Sequence, residues 1–288
     1  MRVFLLRRKR ILSIAISLML LTVFTATTVS LYTFNSVESV EKIRLPIIMY
    51  HGISENKNHI GKYVISPKAL ENDFIYLKEH GYESVFISQV IDYVNKGTEL
   101  PEKPVIITFD DGYLNNFTYA FELFKKYNFK ATISVVGSFS ERYSLYPDAN
   151  INYANLTWEN LKELVESELV EIANHTYNMH NIGERQGCSI KKGEKLKEYQ
   201  KILREDISTA QNLIKKNVGI QPTVFTYPFG SICNESKEII KELGFTATLS
   251  CYEKINYITK DKECLYELGR YNRDGSKSTE NFMRVLEK

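Results

Sequence analysis

Short apolar runs alternate with amphipathic segments from about residue 45 to the end of the chain. The lengths of these runs and their β-branched and aromatic residues predict strands. The predicted strands are Pro46–Tyr50, Ser84–Ile87, Val105–Phe109, Ala131–Val136, Val170–Ala173, Thr223–Tyr227, Thr246–Leu249 and Leu265–Tyr271. The amphipathic segments have helical spacing, and the first opens with a capping serine and a proline at its first helical position. The predicted helices are Ser66–Gly81, Leu114–Tyr127, Thr157–Ser167, Glu194–Lys216, Ser236–Leu243 and Ser278–Glu287.

This alternation predicts an α/β fold in which helices cross over between parallel strands. About eight strands in a chain of this length indicate a distorted or incomplete (β/α) barrel, or a complete one. Two polar stretches, Ser138–Asn155 and Asn181–Gly193, are predicted to be long loops. In folds of this kind such loops often flank the functional site.

The N-terminus has the pattern of an export signal. Five basic residues lie among the first ten, and an almost uninterrupted apolar stretch from Ile11 to Phe34 follows. A helix of that length can cross the bilayer, and the basic cluster places its start in the cytoplasm. The small residues from Ala26 to Ser30 offer no clear cleavage site, so an uncleaved anchor is favoured over a cleaved signal peptide. We predict a signal-anchor over 1–34, a linker over 35–44 and one domain over 45–288, outside the cytoplasm.

The charge of the predicted exported part argues against a nucleic-acid partner. Of 37 Lys and Arg residues, five belong to the N-terminal cluster, and the remaining 32 stand against 35 Asp and Glu, a net charge near −3. No dense basic patch stands out. The four cysteines, Cys188, Cys233, Cys251 and Cys264, lack C-x-x-C spacing, so a zinc knuckle or a thioredoxin-like role is not expected. Disulfides and buried free thiols both remain open.

The strongest chemical signal follows the third predicted strand. The segment Thr108-Phe109-Asp110-Asp111-Gly112-Tyr113 comes directly after an apolar run. Adjacent side chains of a strand point to opposite faces, so two neighbouring carboxylates can serve one site only where the chain turns, as Gly112 permits. One acid could then hold a metal ion while the other acts as a base. The alternative is an ordinary turn that ends a strand.

A pair of histidines follows the fifth predicted strand. On a helix, His175 and His180 would lie about 140° apart, so both can reach one ion only if the chain loops between them. Two imidazoles and a carboxylate leave coordination positions open for water and substrate. Zinc is the first candidate for such a set, and iron, cobalt or nickel also fit. The alternative is a histidine pair in an ordinary loop.

Two further strands end at polar or turn-forming residues. The first leads into Met49-Tyr50-His51-Gly52, and the sixth into Thr226-Tyr227-Pro228-Phe229-Gly230. The C-terminal ends of parallel barrel strands converge on one face, where barrel active sites lie. Four such segments together predict a single site.

With these segments, the chain from about 45 to 272 resembles the polysaccharide deacetylase family, carbohydrate esterase family 4, with its NodB homology domain. The Thr-Phe-Asp-Asp-Gly-Tyr segment is similar to the family's first motif and the His175-Thr176 segment to its second. The resemblance implies that Asp111, His175 and His180 bind the metal and that Asp110 is the catalytic base. The Tyr227-Pro228-Phe229 segment is similar to the third motif, in which the backbone N–H of Phe229 would help bind the oxyanion.

The chain departs from the family pattern at two places. Thr226 stands where the third motif carries an arginine that orients the base, and Arg270 is the candidate to replace it. No Leu-x-His, the usual source of the general acid, stands near the C-terminus. The branch that includes the biofilm poly-β-1,6-N-acetylglucosamine deacetylases carries an early Met-Tyr-His instead. By that resemblance His51 is the general acid.

The resemblance implies an enzyme that removes N-acetyl groups from N-acetylglucosamine units of a cell-surface polysaccharide, with an exopolysaccharide of the poly-β-1,6-N-acetylglucosamine type favoured. The N-terminal pattern adds that this enzyme is anchored and extracytoplasmic. Three alternatives stay open: a peptidoglycan N-deacetylase, an O-acetyl esterase, and an inactive homologue that only binds glycan. Thr226 and the missing C-terminal histidine motivate the last of these.

Overall fold

The computed structural model of the chain describes residues 16–25, 42–181 and 185–287. The chain forms two compact units, Met1–Glu41 and Lys42–Lys288. In the first, residues 16–25 form a helix, α1, with exposed side chains. Among the described residues, no helix combines the length and apolar character that crossing a membrane requires. The rest of the predicted anchor and most of the predicted linker lie outside the described residues, so both stay predictions.

The second unit is built on a curled sheet of eight parallel strands. The strands of the unit are β1 Ile43–Leu45, β2 Ile47–Tyr50, β3 Gly52–Ile53, β4 Val64–Ile65, β5 Glu83–Ser84, β6 Pro104–Phe109, β7 Ala131–Val135, β8 Val170–Asn174, β9 Val224–Thr226, β10 Ala247–Leu249, β11 Asn256–Ile258 and β12 Tyr271–Asn272. The order in the sheet is β10-β9-β8-β7-β6-β2-β12, and β5 pairs with β6. This arrangement confirms the predicted α/β fold with an incomplete barrel.

Two small sheets and the last strand differ from the prediction. The pairs β1–β11 and β3–β4 are too short to show a period in the sequence. The predicted strand Leu265–Tyr271 is wrong in position, because regular pairing begins only at Tyr271. The residues before it follow β10 through separate hydrogen bonds, Leu268 N–H to Thr248 O and Arg270 N–H to Tyr252 O, both at 2.9 Å. The segment thus leads from β10 at one edge of the sheet to β2 near the other.

Eight α-helices accompany the strands among the described residues of this unit. They are α2 Pro67–Glu79, α3 Ile87–Lys96, α4 Phe121–Tyr127, α5 Gly137–Leu145, α6 Trp158–Glu166, α7 Leu196–Val218, α8 Asn234–Glu242 and α9 Thr279–Met283. Local capping explains why several were predictable. The Ser66 hydroxyl accepts a hydrogen bond from Ala69 N–H, and the Thr157 hydroxyl accepts one from Asn160 N–H.

Helices α3 and α5 were not predicted, and neither has an N-cap residue whose side chain accepts a hydrogen bond from its first turn. The carboxylate of Glu171, on β8, accepts hydrogen bonds from the N–H groups of Ile87 and Ser88 at the start of α3. The predicted strand Ser84–Ile87 is therefore wrong in its last residues. The predicted loop Ser138–Asn155 is wrong in its first part, where α5 lies.

Alternation along the strands separates two faces of the sheet. Ile48 and Ile107 belong to a core cluster that includes residues of α2, α4 and α6. Ile47 and Ile106 belong to a second cluster on the opposite face, here called the inner face. Because side chains alternate with a period of two, Thr108 and Asp110 follow Ile106 onto the inner face. The strand therefore carries its last polar side chains into the curl of the sheet.

A buried ion pair joins the C-terminal part of the chain to α2. Arg273 Nε lies 2.7 Å from Asp73 Oδ2, and neither side chain is exposed. The same carboxylate accepts hydrogen bonds from the hydroxyls of Tyr50 and Thr279. A buried charge is tolerated only with such partners. Asp73 therefore holds β2, the segment after β12 and α9 around one point.

We predict that Asp73→Ala lowers the free energy of unfolding by about 3–5 kcal/mol, because it leaves the Arg273 guanidinium buried without its counter-ion. Urea unfolding followed by circular dichroism measures the change. Lys68→Ala, on the same helix, is the matched control: its ion pair with Glu71 is exposed, and we expect a change within about 0.5 kcal/mol. Equal effects of the two substitutions would contradict this role of the buried pair.

Candidate active site

The chain turns sharply where β6 ends. Asp111 and Gly112 both have left-handed backbones, with φ of 69° and 64°. The side-chain amide of Asn155 donates to Asp111 O at 2.8 Å and holds the turn. Asp110 lies on the inner face. Because the backbone of Asp111 is left-handed, the Asp111 side chain points into the same cavity. This is the turn that two neighbouring carboxylates need in order to serve one site.

A loop also separates the two histidines, as predicted. Thr176 follows His175 with a left-handed φ of 72°. The Asp206 carboxylate, on α7, accepts hydrogen bonds from the N–H groups of Tyr177 and Asn178 at 2.7 and 2.9 Å. The loop between the imidazoles is therefore fixed from a distant helix, and no local signal in the sequence points to Asp206.

Asp111, His175 and His180 come together as a possible metal site. One ligand atom from each lies within 4.8 Å of the others. The Nε2 atoms of His180 and His175 lie 3.1 and 3.6 Å from Asp111 Oδ1. His175 donates its Nδ1–H to Thr226 O at 2.8 Å, which leaves Nε2 free to bind an ion.

The surroundings of this triad fit a divalent cation. Asp111 Oδ1 is buried and accepts no hydrogen bond from the described part of the chain. Burial raises the pKa of Asp111, but the two imidazoles that face it outweigh burial and hold the pKa well below its usual value. The carboxylate is thus ionised, as a metal ligand must be. Two nitrogens and one oxygen suit zinc and also accept iron, cobalt or nickel.

The second carboxylate of the turn has a different partner. Arg270 donates from Nη1 to Asp110 Oδ1 at 2.7 Å and from Nη2 to Oδ2 at 2.8 Å, and its Nε–H donates to Ser250 O. Burial raises the pKa of Asp110, but the guanidinium outweighs it and holds the pKa below its usual value. Arg270 thus contacts both carboxylate oxygens of Asp110, the candidate base, which is the contact that the sequence suggested for it.

His51 lies beside the two carboxylates, directly after β2. Its backbone carbonyl accepts a hydrogen bond from the Asn116 side chain at 2.8 Å, and its ring meets the edge of Tyr63 with centroids 4.9 Å apart. Burial lowers the pKa of His51, although Asp110 and Asp111 oppose this. A lowered pKa makes the protonated imidazole a stronger proton donor.

The turn after β9 exposes Phe229 and buries the two residues before it. Phe229 has a left-handed φ of 56°, and its ring stacks on His180 with centroids 4.3 Å apart. Tyr227 and Pro228 are buried and do not line the cavity. Of this third-motif segment, Phe229 thus lines the cavity, whereas Tyr227 packs on Phe225 in the core and shapes the turn together with Pro228.

A cavity of about 740 Å³ opens over these groups. His51, Asp110, Asp111, His175, His180 and Phe229 all line it. Tyr63 and Tyr113 line it as well and were not singled out in the sequence. The position of Tyr113 directly after the Asp-Asp-Gly segment was the one available signal. Tyr63 lies on an irregular loop and has none.

Comparison with known proteins finds relatives in sequence. The family model described as polysaccharide deacetylase matches residues 97–248. The poly-β-1,6-N-acetyl-D-glucosamine N-deacetylase of Escherichia coli K12 is 27% identical over 217 residues, which cover 69% of this chain and 32% of that protein. The enzyme of that name from Staphylococcus aureus MRSA252 is 25% identical over 203 residues, which cover 69% of this chain and 65% of that one. The chain thus spans about a third of the first relative.

Solved structures share the fold over most of the chain. A de-N-acetylase from Aggregatibacter actinomycetemcomitans superimposes with a TM-score of 0.71 at 28% identity, covering 85% of this chain and 100% of that one. IcaB from Ammonifex degensii superimposes with a TM-score of 0.67 at 23% identity, covering 81% and 93%. The second likeness concerns the fold alone.

We predict that Asp111→Ala, His175→Ala and His180→Ala each weaken Zn²⁺ binding by more than the roughly 10–100-fold that loss of an outer-shell partner costs. Metal content after dialysis and competition with a chromophoric chelator measure the change. Asp110→Asn should keep the zinc affinity of the parent, because its carboxylate is held by Arg270. His80→Ala, at an exposed histidine, is the control. Parent affinity in any of the three alanine variants would remove that residue from the site.

Proposed function

Because the chain belongs to the polysaccharide deacetylase family, we propose that it is a metal-dependent hydrolase that removes N-acetyl groups from N-acetylglucosamine units of a polysaccharide. The observation that carries the proposal is the meeting of two differently partnered carboxylates in one cavity. Asp111 faces two imidazoles, and Asp110 faces a guanidinium. One acid is placed to bind a cation and its neighbour to move a proton.

The cation-binding role falls to Asp111, His175 and His180. A divalent cation bound there would supply Lewis-acid chemistry, polarising the acetamide carbonyl and lowering the pKa of water. The hydrogen bond from His175 Nδ1–H to Thr226 O keeps that ring in the orientation which presents Nε2. His180 follows the loop that Asp206 holds, and its Nε2 lies 3.1 Å from Asp111 Oδ1.

Asp110 is the proposed general base. Its pKa, held below the usual value by Arg270, keeps it ionised at neutral pH and so able to accept a proton from the attacking water. Both carboxylate oxygens accept a hydrogen bond from the buried guanidinium, so the carboxylate is held in one orientation. Arg270 is therefore a positioning residue that acts through Asp110.

The tetrahedral intermediate needs a hydrogen-bond donor to its oxyanion, and its collapse needs an acid that protonates the leaving amine. His51, in its protonated form, is placed in the cavity to give a proton to the departing amine, which is a very poor leaving group without it. The backbone N–H of Phe229, on the exposed turn after β9, is the proposed donor to the oxyanion. The products are acetate and a free glucosamine.

The favoured substrate is an exopolysaccharide of the poly-β-1,6-N-acetylglucosamine type. Two relatives named for that substrate support it, as does the early His51. We also propose that the enzyme acts outside the cytoplasm, anchored by the segment before residue 35. The new amines, largely protonated at neutral pH, would give the polymer positive charge.

We predict that the full chain with Zn²⁺ releases acetate from β-1,6-linked N-acetylglucosamine oligomers faster than from β-1,4-linked or peptidoglycan-derived ones. His51→Ala and Asp110→Asn should lower turnover by about 10²–10⁴-fold while keeping the zinc content of the parent, because each removes a proton-transfer group. An enzymatic acetate assay measures the rate. His80→Ala is the matched histidine control and should keep the parent rate.

The outcomes separate the open alternatives. Release only from O-acetylated sugars would mean an esterase, and preference for peptidoglycan fragments would reassign the substrate. No release from any substrate by zinc-loaded protein would sink the enzyme assignment and leave a glycan-binding homologue. Full activity of His51→Ala would remove His51 as the acid.

For Arg270, we predict that Arg270→Lys lowers kcat by about 10²-fold and leaves KM and zinc content unchanged, because lysine keeps the charge but cannot make two parallel hydrogen bonds. Steady-state acetate release measures both constants, and a melting curve checks the fold. Arg204→Lys is the matched control, since its partner Glu242 is exposed. A kcat within two-fold of the parent would refute the positioning role.

A further inference from the structure

Two of the four cysteines lie close together where the loop after His180 contacts the turn after Phe229. Cys188 is fully buried in the core cluster formed with α7 and α8, and the half-buried Cys233 packs against that cluster. The Tyr199 hydroxyl, on α7, donates to Cys188 O at 2.6 Å and lies 3.3 Å from Cys233 Sγ. Cys233 Sγ itself lies 4.0 Å from Cys188 O.

The backbones around the two cysteines are in close contact. A Cβ added to Gly187 would lie 2.4 Å from Ser231 Cβ, so only glycine fits there. Beyond Cys188, the N–H of Ser189 donates to the Ser231 hydroxyl at 3.2 Å, and that hydroxyl donates to the Ser189 hydroxyl at 2.8 Å. The segments that flank the thiols are thus already held together without a covalent link.

The other two thiols have different surroundings. Cys251 lines the active-site cavity, with its Sγ 4.0 Å from Arg270 Nη2. Cys264 packs against the inner-face cluster and its thiol contacts Thr259 O at 3.8 Å. Of the three ways to pair four cysteines, only one therefore includes a pair that shares a core cluster.

We infer that Cys188 and Cys233 are a disulfide site, which ties the loop that follows the metal ligand His180 to the turn that presents Phe229. The inference rests on the proposed location outside the cytoplasm, where disulfides form and persist. The link would close a long loop that contains α7 and β9, and closing a long loop restricts the unfolded chain most. It would also fix the wall of the cavity in which His180 and Phe229 stack.

The oxidation is a thiol–disulfide exchange with an external disulfide, either of an oxidoreductase or of glutathione. Cys233, the more accessible thiol, loses its proton to solvent, attacks one sulfur of the external disulfide and displaces the first external thiolate. Burial holds the pKa of the Cys188 thiol well above its usual value, so this thiol reacts second. As Cys188 loses its proton and attacks Cys233 Sγ, the second external thiolate leaves. The two protein thiols are oxidised by two electrons, and the external disulfide is reduced to two thiols.

The test is disulfide mapping of the purified full chain after equilibration with oxidised and reduced glutathione. Free thiols are blocked with N-ethylmaleimide, and the digested protein is analysed by mass spectrometry. We expect one cross-linked peptide pair, joining Cys188 to Cys233, and alkylated Cys251 and Cys264. We also expect dithiothreitol to lower the melting temperature by about 5–10 °C. Alkylation of Cys188 and Cys233 in the oxidised chain, or pairing of either with another cysteine, would overturn the inference.

Single-cysteine variants provide the controls. Cys264→Ser should keep both the cross-link and the shift with dithiothreitol, whereas Cys233→Ser should lose both. A shift that persists in Cys233→Ser would assign the stabilisation elsewhere and count against the link. The mapping uses no substrate, so its failure leaves the proposed deacetylase activity untouched, and an inactive chain can still give the cross-link.

Discussion

The site depends on one reversal of the backbone at the end of β6. Asp110 lies on the inner face because it follows Ile106 and Thr108 at the period of a strand. Without the left-handed conformation of Asp111 and Gly112, the next carboxylate would point away from the cavity. A regular strand would direct the two adjacent carboxylates to opposite faces. The turn lets both point into one cavity, where each has different partners. The proposed division between a metal ligand and a base rests on that difference.

Two buried guanidiniums fix the C-terminal segment from opposite sides. Arg270 reaches inward to Asp110, and Arg273, three residues later, reaches Asp73 on α2. An odd separation in extended chain places the two side chains on opposite faces. The segment that leads from β10 to β2 is thus held by ion pairs on both sides. Because the inner pair includes the candidate base, the packing of this segment and the orientation of Asp110 are linked.

The fold could be predicted from the sequence wherever the signal was local. Buried strands such as Val105–Phe109 are nearly continuous apolar runs. Ser66 and Thr157 mark the starts of helices, because their side chains cap the helices that follow them. Helix α3 was missed, because its N-cap residue is a phenylalanine and the carboxylate at its start belongs to Glu171 on a distant strand. The candidate site was predictable to the same extent. The residues in its short segments could be singled out from local signals in the sequence. Asp206, which fixes the loop between the histidines, lies on a helix and has no local sign of that role.

The structure also bears on whether the absent third-motif arginine implies lost activity. The Thr226 hydroxyl lies 2.8 Å from the Ser134 hydroxyl. The backbone carbonyl of Thr226 accepts a hydrogen bond from the Nδ1–H of His175. A threonine there fills little of the inner face, while the fully buried guanidinium of Arg270 reaches Asp110 from another segment of the chain. Both carboxylate oxygens of the proposed base thus accept hydrogen bonds from a buried guanidinium, which comes from a segment other than the third motif. The missing residue in the linear motif therefore carries little weight against catalysis.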